Sequence, residues 1–118
     1  MISFIIPAYN AGKTIGRTIN SIVNQEETSI EYEVIVVDDG SDDDLRERVE
    51  EFKSDERIKY FYKENNGVAD ARNYGVNQAI GEYIIFVDSD DYISKTLLKD
   101  IEPYIQQGIE LIKWKPLF

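Results

Sequence analysis

The chain has 118 residues, a net charge of −10 and 42% hydrophobic residues, with neither cysteine nor histidine. That length suits one compact domain, and eight Tyr and five Phe give it bulky core material despite 31% charged residues. The acidic balance argues against nucleic acid as a partner, and the missing residue types exclude disulfides, thiolate sites and imidazole chemistry. Any metal must therefore sit on oxygen ligands, which favours Mg²⁺, Mn²⁺ or Ca²⁺.

In chain order, the apolar run ISFII (2–6) predicts a short buried strand. Ile15, Ile19, Ile22 and Val23 then recur at helical spacing. The β-branched run YEVIVV (32–37) predicts a second strand closed by the turn DDGS. Leu45, Val49 and Phe52 mark another amphipathic helix, and IKYFY (58–62) a third strand broken by NNG (65–67). Ala71, Gly75 and Ala79 form a small-residue stripe suited to packing a helix closely on a sheet. EYIIFV (82–87) predicts the fourth strand, running into DSDD. Ser94 is placed to cap a helix carrying Leu97, Leu98, Ile101 and Ile105, and IELIKW (109–114) predicts a fifth strand.

This alternation specifies an α/β domain, with a mainly parallel sheet and helices on both faces. Right-handed crossovers bring the C-terminal ends of all strands to one edge, where open α/β sheets bind ligands. Three strand ends carry polar clusters: PAYN after the first, DDGS after the second and DSDD after the fourth. No run is long enough to span a membrane, so the expected location is the cytoplasm, free or peripheral at the inner face of the membrane. The apolar ending with Trp114, Leu117 and Phe118 reads as the first part of a longer protein and predicts self-association through that segment.

The carboxylates carry the chemistry. If the fourth strand runs through Asp90, Asp88 and Asp90 face the same way, and their repulsion calls for a cation. A divalent ion also lets an acidic protein hold a diphosphate. The plain alternative is a solvated turn that caps the next helix. Of the adjacent Asp38 and Asp39, at most one is expected to face the site, the other tying up turn amides; a structural Asp-Gly turn is the plain reading. Arg72, near a helix start, suits phosphate oxygens or is an ordinary surface arginine.

Gly12-Lys13-Thr14 imitates the end of a phosphate-binding loop, but the first glycine of that motif would stand at Pro7, which has no N–H to donate. A receiver domain would place its acidic pair after the first strand, not the second. A haloacid-dehalogenase phosphatase would need Thr or Val where Tyr92 stands.

Together FIIPAYNAGKTIGRTINSIVNQ, EVIVVDDGSDD and NNGVADARNYGVNQAIGEYIIFVDSDD resemble the nucleotide-sugar-binding half of a family 2 glycosyltransferase with the Rossmann-like GT-A fold. The resemblance covers nearly the whole chain. It implies that Pro7, Ala8, Tyr9 and Asn10 wrap the nucleotide base, with Tyr9 stacking on it, and that Asp39 accepts a hydrogen bond from a uracil ring. It implies Arg72 near base and diphosphate, and Asp88-Ser89-Asp90 as the DXD motif. Asp88 would face the ribose or a metal-bound water, Asp90 the metal (Mn²⁺ or Mg²⁺), with Asp91 behind them. The implied reaction transfers a sugar from a UDP-sugar, with inversion, to a saccharide, lipid-linked or protein acceptor. Its general base is expected downstream, in an acceptor-binding half beyond residue 118, so no catalytic base is assigned within the chain. The alternative is a non-catalytic nucleotide or nucleotide-sugar binding module.

Overall fold

The structure, a computed structural model, describes residues 1–107. Four strands and four helices alternate: β1 (Ile2–Ala8), α1 (Ile15–Val23), β2 (Tyr32–Asp39), α2 (Leu45–Glu50), β3 (Ile58–Lys63), α3 (Val68–Gln78), β4 (Tyr83–Phe86) and α4 (Leu97–Gln106). The strands form one sheet in the order β3-β2-β1-β4, every pairing parallel. The expected α/β architecture is thus observed. The expected strand over 109–114, and with it the apolar ending, lies outside the described residues.

Strand alternation sorts the core into two layers. Ile2, Phe4 and Ile6 of β1 and Val34 and Val36 of β2 face one side, where α1, α2 and α4 supply Ile15, Ile19, Ile22, Leu45, Val49, Leu97, Leu98 and Ile101. Ile5, Ile35 and Val37 face the other, against Ala71 of α3. The small-residue stripe works there as expected: a Cβ on Gly75 would lie 2.5 Å from Ile5 Cγ2, so α3 sits close enough to β1 that glycine is required. No helix among the described residues is long and apolar enough to cross a membrane.

Two expectations need correction. The fourth strand is shorter than 82–87, because the chain turns at Asp88, whose carbonyl accepts the Asp91 amide at 3.0 Å. Ser94 does not cap α4. The N-cap is Thr96, without a side-chain cap bond, while Ser94 Oγ, two residues before it, accepts the Thr96 amide at 3.2 Å.

A buried polar cluster that the apolar pattern concealed sits at the opposite end of the sheet. Ser3 Oγ donates to Glu33 Oε2 at 2.5 Å, and the Ile80 amide donates to the same oxygen at 2.8 Å. Lys59 Nζ donates to Glu33 Oε1 at 2.8 Å, and the Gly81 amide to Ser3 Oγ at 2.9 Å. Both Ser3 and Glu33 are buried, so these bonds are what makes their burial tolerable, and they staple the α3–β4 connection to the sheet.

Candidate functional site

The chain leaves β1 toward β2 on one face and returns from β3 to β4 on the other, so connections diverge between β1 and β4. At such a switch point, a crevice opens beyond the strand ends. Pro7 and Ala8 end β1 inside the sheet, Tyr9 emerges half-exposed, and Asn10 adopts φ of +50°, a conformation asparagine tolerates better than most residues. This loop is fastened to the one after β2. The Asn10 amide donates to Ser41 Oγ at 2.9 Å, the Asp42 amide to Asn10 Oδ1 at 2.8 Å, and the Gly12 amide to Asp43 Oδ2 at 2.8 Å.

Asp38 and Asp39, at the end of β2, are both buried and point to opposite faces, yet both accept backbone amides. Asp38 takes the Ser41 amide at 2.8 Å and the Tyr60 hydroxyl. Burial, followed by the hydrogen bond to Asp38 and its charge, pushes the Tyr60 phenol well above its ordinary range. Asp39 takes the Asn66 amide at 2.9 Å and Lys63 Nζ at 3.1 Å on Oδ1, and the Gly67 amide at 3.0 Å on Oδ2. As expected, one of the pair, Asp38, ties up an amide of its own turn, whereas Asp39 holds the start of α3, which the sequence reading did not foresee.

After β4, Asp88, Asp90 and Asp91 bring carboxylate oxygens within 4.8 Å of one another. Tight turning, not strand alternation, assembles them, because β4 has already ended at Phe86. Burial, then the charges of Asp90 and Asp88 and a hydrogen bond with Asp88, raise the Asp91 carboxyl above the ordinary range, with Arg17 pulling the other way. Arg72, on the second turn of α3, approaches from the far side: Nη2 lies 3.5 Å from Asp88 Oδ1, and the guanidinium lies over the Phe86 ring at 5.7 Å. An all-oxygen cluster of mutually repelling carboxylates fits a hard divalent cation.

The sequence reading missed what holds this turn. Thr14 Oγ1 and Thr18 Oγ1 each lie 2.9 Å from the Ser89 carbonyl, Thr18 also reaches the Asp91 carbonyl, and Arg17 Nη2 donates to the Asp90 carbonyl at 2.9 Å. Farther along α1, Ser21 Oγ accepts the Ile93 amide at 3.0 Å, and Gln25, just past the end of α1, bridges the Ser94 carbonyl and the Leu98 amide at 2.7 and 3.0 Å. Thr14, Thr18, Ser21 and Gln25 recur every three to four residues beside the apolar Ile15, Ile19 and Ile22 stripe. That polar stripe was the available signal.

Comparison with known proteins agrees with this fold. The sequence model of glycosyl transferase family 2 matches residues 3–112. The chain is similar to the poly(ribitol-phosphate) beta-N-acetylglucosaminyltransferase TarS of Staphylococcus aureus, 41% identical over 118 residues, covering 96% of this chain and 21% of TarS. It is also 48% identical over 94 residues to an uncharacterized glycosyltransferase of Rickettsia conorii, covering 80% of this chain and 15% of that protein. The crystal structure of TarS residues 1–349 in complex with UDP superposes with a TM-score of 0.83 at 41% identity, over 90% of this chain and 32% of that one. A Pyrobaculum calidifontis mannosyltransferase in complex with GDP-Man and Mn²⁺ shares the fold, with a TM-score of 0.78 at 24% identity, over 88% of this chain and 32% of that one. The chain spans about a fifth or less of the length of these curated relatives. It belongs to glycosyl transferase family 2.

Proposed function

We propose that residues 1–118 form the donor-binding portion of a glycosyltransferase that takes a UDP-sugar with a divalent cation. The observation that carries this reading is the group of Asp88, Asp90 and Asp91, with carboxylate oxygens within 4.8 Å, at the β1/β4 switch point. The UDP complex of the similar TarS structure supports a uridine nucleotide as ligand.

In this reading the half-exposed Tyr9 ring stacks on the base, held in place by the fastening of Asn10 to the β2 loop. Asp39 keeps one acceptor position on Oδ2, which meets an N–H of the base. Arg72 supplies cationic donors to the diphosphate, trading them against Asp88. Asp90 holds Mn²⁺ or Mg²⁺ directly, Asp88 holds it through water, and Asp91 lies behind them. When bound, the cation neutralises the charge that builds on the departing diphosphate. Transfer with inversion also requires a base on the acceptor hydroxyl, assigned to sequence beyond this portion.

Titration calorimetry with UDP, with and without Mn²⁺, tests the proposal. Binding should strengthen with Mn²⁺, and that gain should vanish in Asp90→Ala. If UDP does not bind, or binds regardless of metal and of Asp90, the assignment of the donor site is wrong.

A further inference from the structure

The acidic turn has a physical problem that the donor-site reading leaves open. Three carboxylates on four consecutive residues repel one another, and a free turn would relieve that repulsion by opening. In this chain the turn is held by its carbonyls. Those of Ser89, Asp90 and Asp91 all face donors from the N-terminal end of α1, namely its N-cap Thr14 with Arg17 and Thr18. With three successive carbonyls drawn toward α1, the turn keeps its three carboxylates grouped, their oxygens within 4.8 Å of one another.

Thr18 is central to this arrangement. It is fully buried, and the nearest acceptors of its hydroxyl are the Ser89 and Asp91 carbonyls, which bracket Asp90, with the Thr14 carbonyl farther off at 3.3 Å. Arg17 adds a positive charge on the same side and also lies against the Tyr92 ring at 5.0 Å, which fixes its direction. Ser21 and Gln25 continue the same stripe against Ile93, Ser94 and Leu98, so the register of the whole segment is set by α1.

We propose that Thr18, assisted by Thr14 and Arg17, is a positioning residue that sets Asp88, Asp90 and Asp91 at the spacing a divalent cation requires. The inference rests on the donor-site reading above. Groups that orient metal ligands without touching the metal commonly govern affinity by tenfold or more.

The test compares the 118-residue chain with Thr18→Val, which keeps the shape and removes the hydroxyl, and with Thr18→Ser, which restores it. Mn²⁺ affinity is read by electron paramagnetic resonance of the free ion, and UDP affinity by calorimetry with and without Mn²⁺. Thr18→Val should weaken Mn²⁺ binding about tenfold and reduce the metal-dependent gain in UDP affinity, with metal-free UDP binding within about twofold. Thr18→Ser should recover Mn²⁺ affinity to within about twofold of the parent. If Thr18→Val binds Mn²⁺ like the parent, or loses metal-free UDP binding to the same extent, the positioning role is refuted. Should Thr18→Val lose its near-ultraviolet circular dichroism, Thr14→Val decides by the same criterion. If the parent chain itself shows no Mn²⁺-dependent UDP binding, the donor-site reading falls and this inference with it. Metal dependence in the parent with unaltered valine variants overturns the positioning role alone.

Discussion

The Arg72 guanidinium of α3 reaches the turn after β4, with Nη2 3.5 Å from Asp88 Oδ1. Both side chains are substantially solvent-exposed, so the pair contributes little to folding, and the contact is long enough to be exchanged for another anion. The Arg72 Nε is buried with no hydrogen-bond partner among the described residues, which leaves an unused donor on the same guanidinium. Arg72→Met should therefore change unfolding stability by less than about 0.5 kcal/mol. UDP affinity measured by calorimetry should drop roughly tenfold, as loss of a charge-assisted contact to phosphate implies. Unchanged UDP affinity would remove Arg72 from the donor site.

Asp39 holds the start of α3, and the recognition role proposed for it can be tested separately. Asp39→Asn replaces an oxygen acceptor with an N–H₂ that faces amide donors, costing roughly 1–3 kcal/mol of stability. Hydrogen exchange at the Asn66 and Gly67 amides should quicken accordingly. Lys63→Met leaves both amide bonds in place, so it should preserve the preference for UDP over CDP that Asp39→Asn loses. Competition binding with the two nucleotides checks this. Equal preference in all three proteins would mean that Asp39 serves only the loop.

Glu33 makes part of the stability pH-dependent. Burial alone would raise its carboxyl, but hydrogen bonds from Lys59, Ser3 and the Ile80 amide, with the Lys59 charge, hold it below its ordinary 4.5. A group with a depressed folded-state value stabilises the fold above the unfolded value and loses that contribution as pH falls through the folded one. Urea midpoints should hence decline below about pH 4.5, and Glu33→Gln should flatten that decline while costing roughly 1.5–3 kcal/mol near neutrality. Asp55, Asp70 and Glu102 are also held down by their own partners, so the decline should be reduced and not abolished. An identical acid limb in Glu33→Gln would contradict this account.

Two glycine-to-alanine changes should move stability in opposite directions. At Gly75 the new Cβ meets Ile5 Cγ2 at 2.5 Å and Val37 Cγ2 at 3.3 Å. Overpacking costs of about 1–3 kcal/mol outweigh a helix-propensity gain of up to about 1 kcal/mol. A Cβ at Gly16, in the first turn of α1, would meet nothing within 4 Å beyond its own helix backbone among the described residues, so alanine there should stabilise by up to about 1 kcal/mol. Thermal unfolding of the two variants should bracket the parent. A Gly75→Ala variant that melts higher would show that α3 can withdraw from β1.

Much of this protein was legible in its residues, because hydrophobic period reports burial directly. Continuous runs such as Phe4–Ile6 and Val34–Val37 belong to strands covered on both faces, and Ile15, Ile19 and Ile22 to a helix with one buried side. Alternation of the two types was sufficient to place Tyr9, Asp39 and Asp88 at one sheet edge. Tertiary structure alone decided how those residues are held. Thr18 lies 71 positions from Ser89, and Ser3 lies 30 from Glu33, so no local pattern ties either pair together. Side-chain bonds to backbone carbonyls and amides carry little sequence signature, since any residue offers the backbone partner. Composition and periodicity therefore specified the layers and located the carboxylates, whereas the packing of α1 against the turn after β4 determined that Asp88, Asp90 and Asp91 converge.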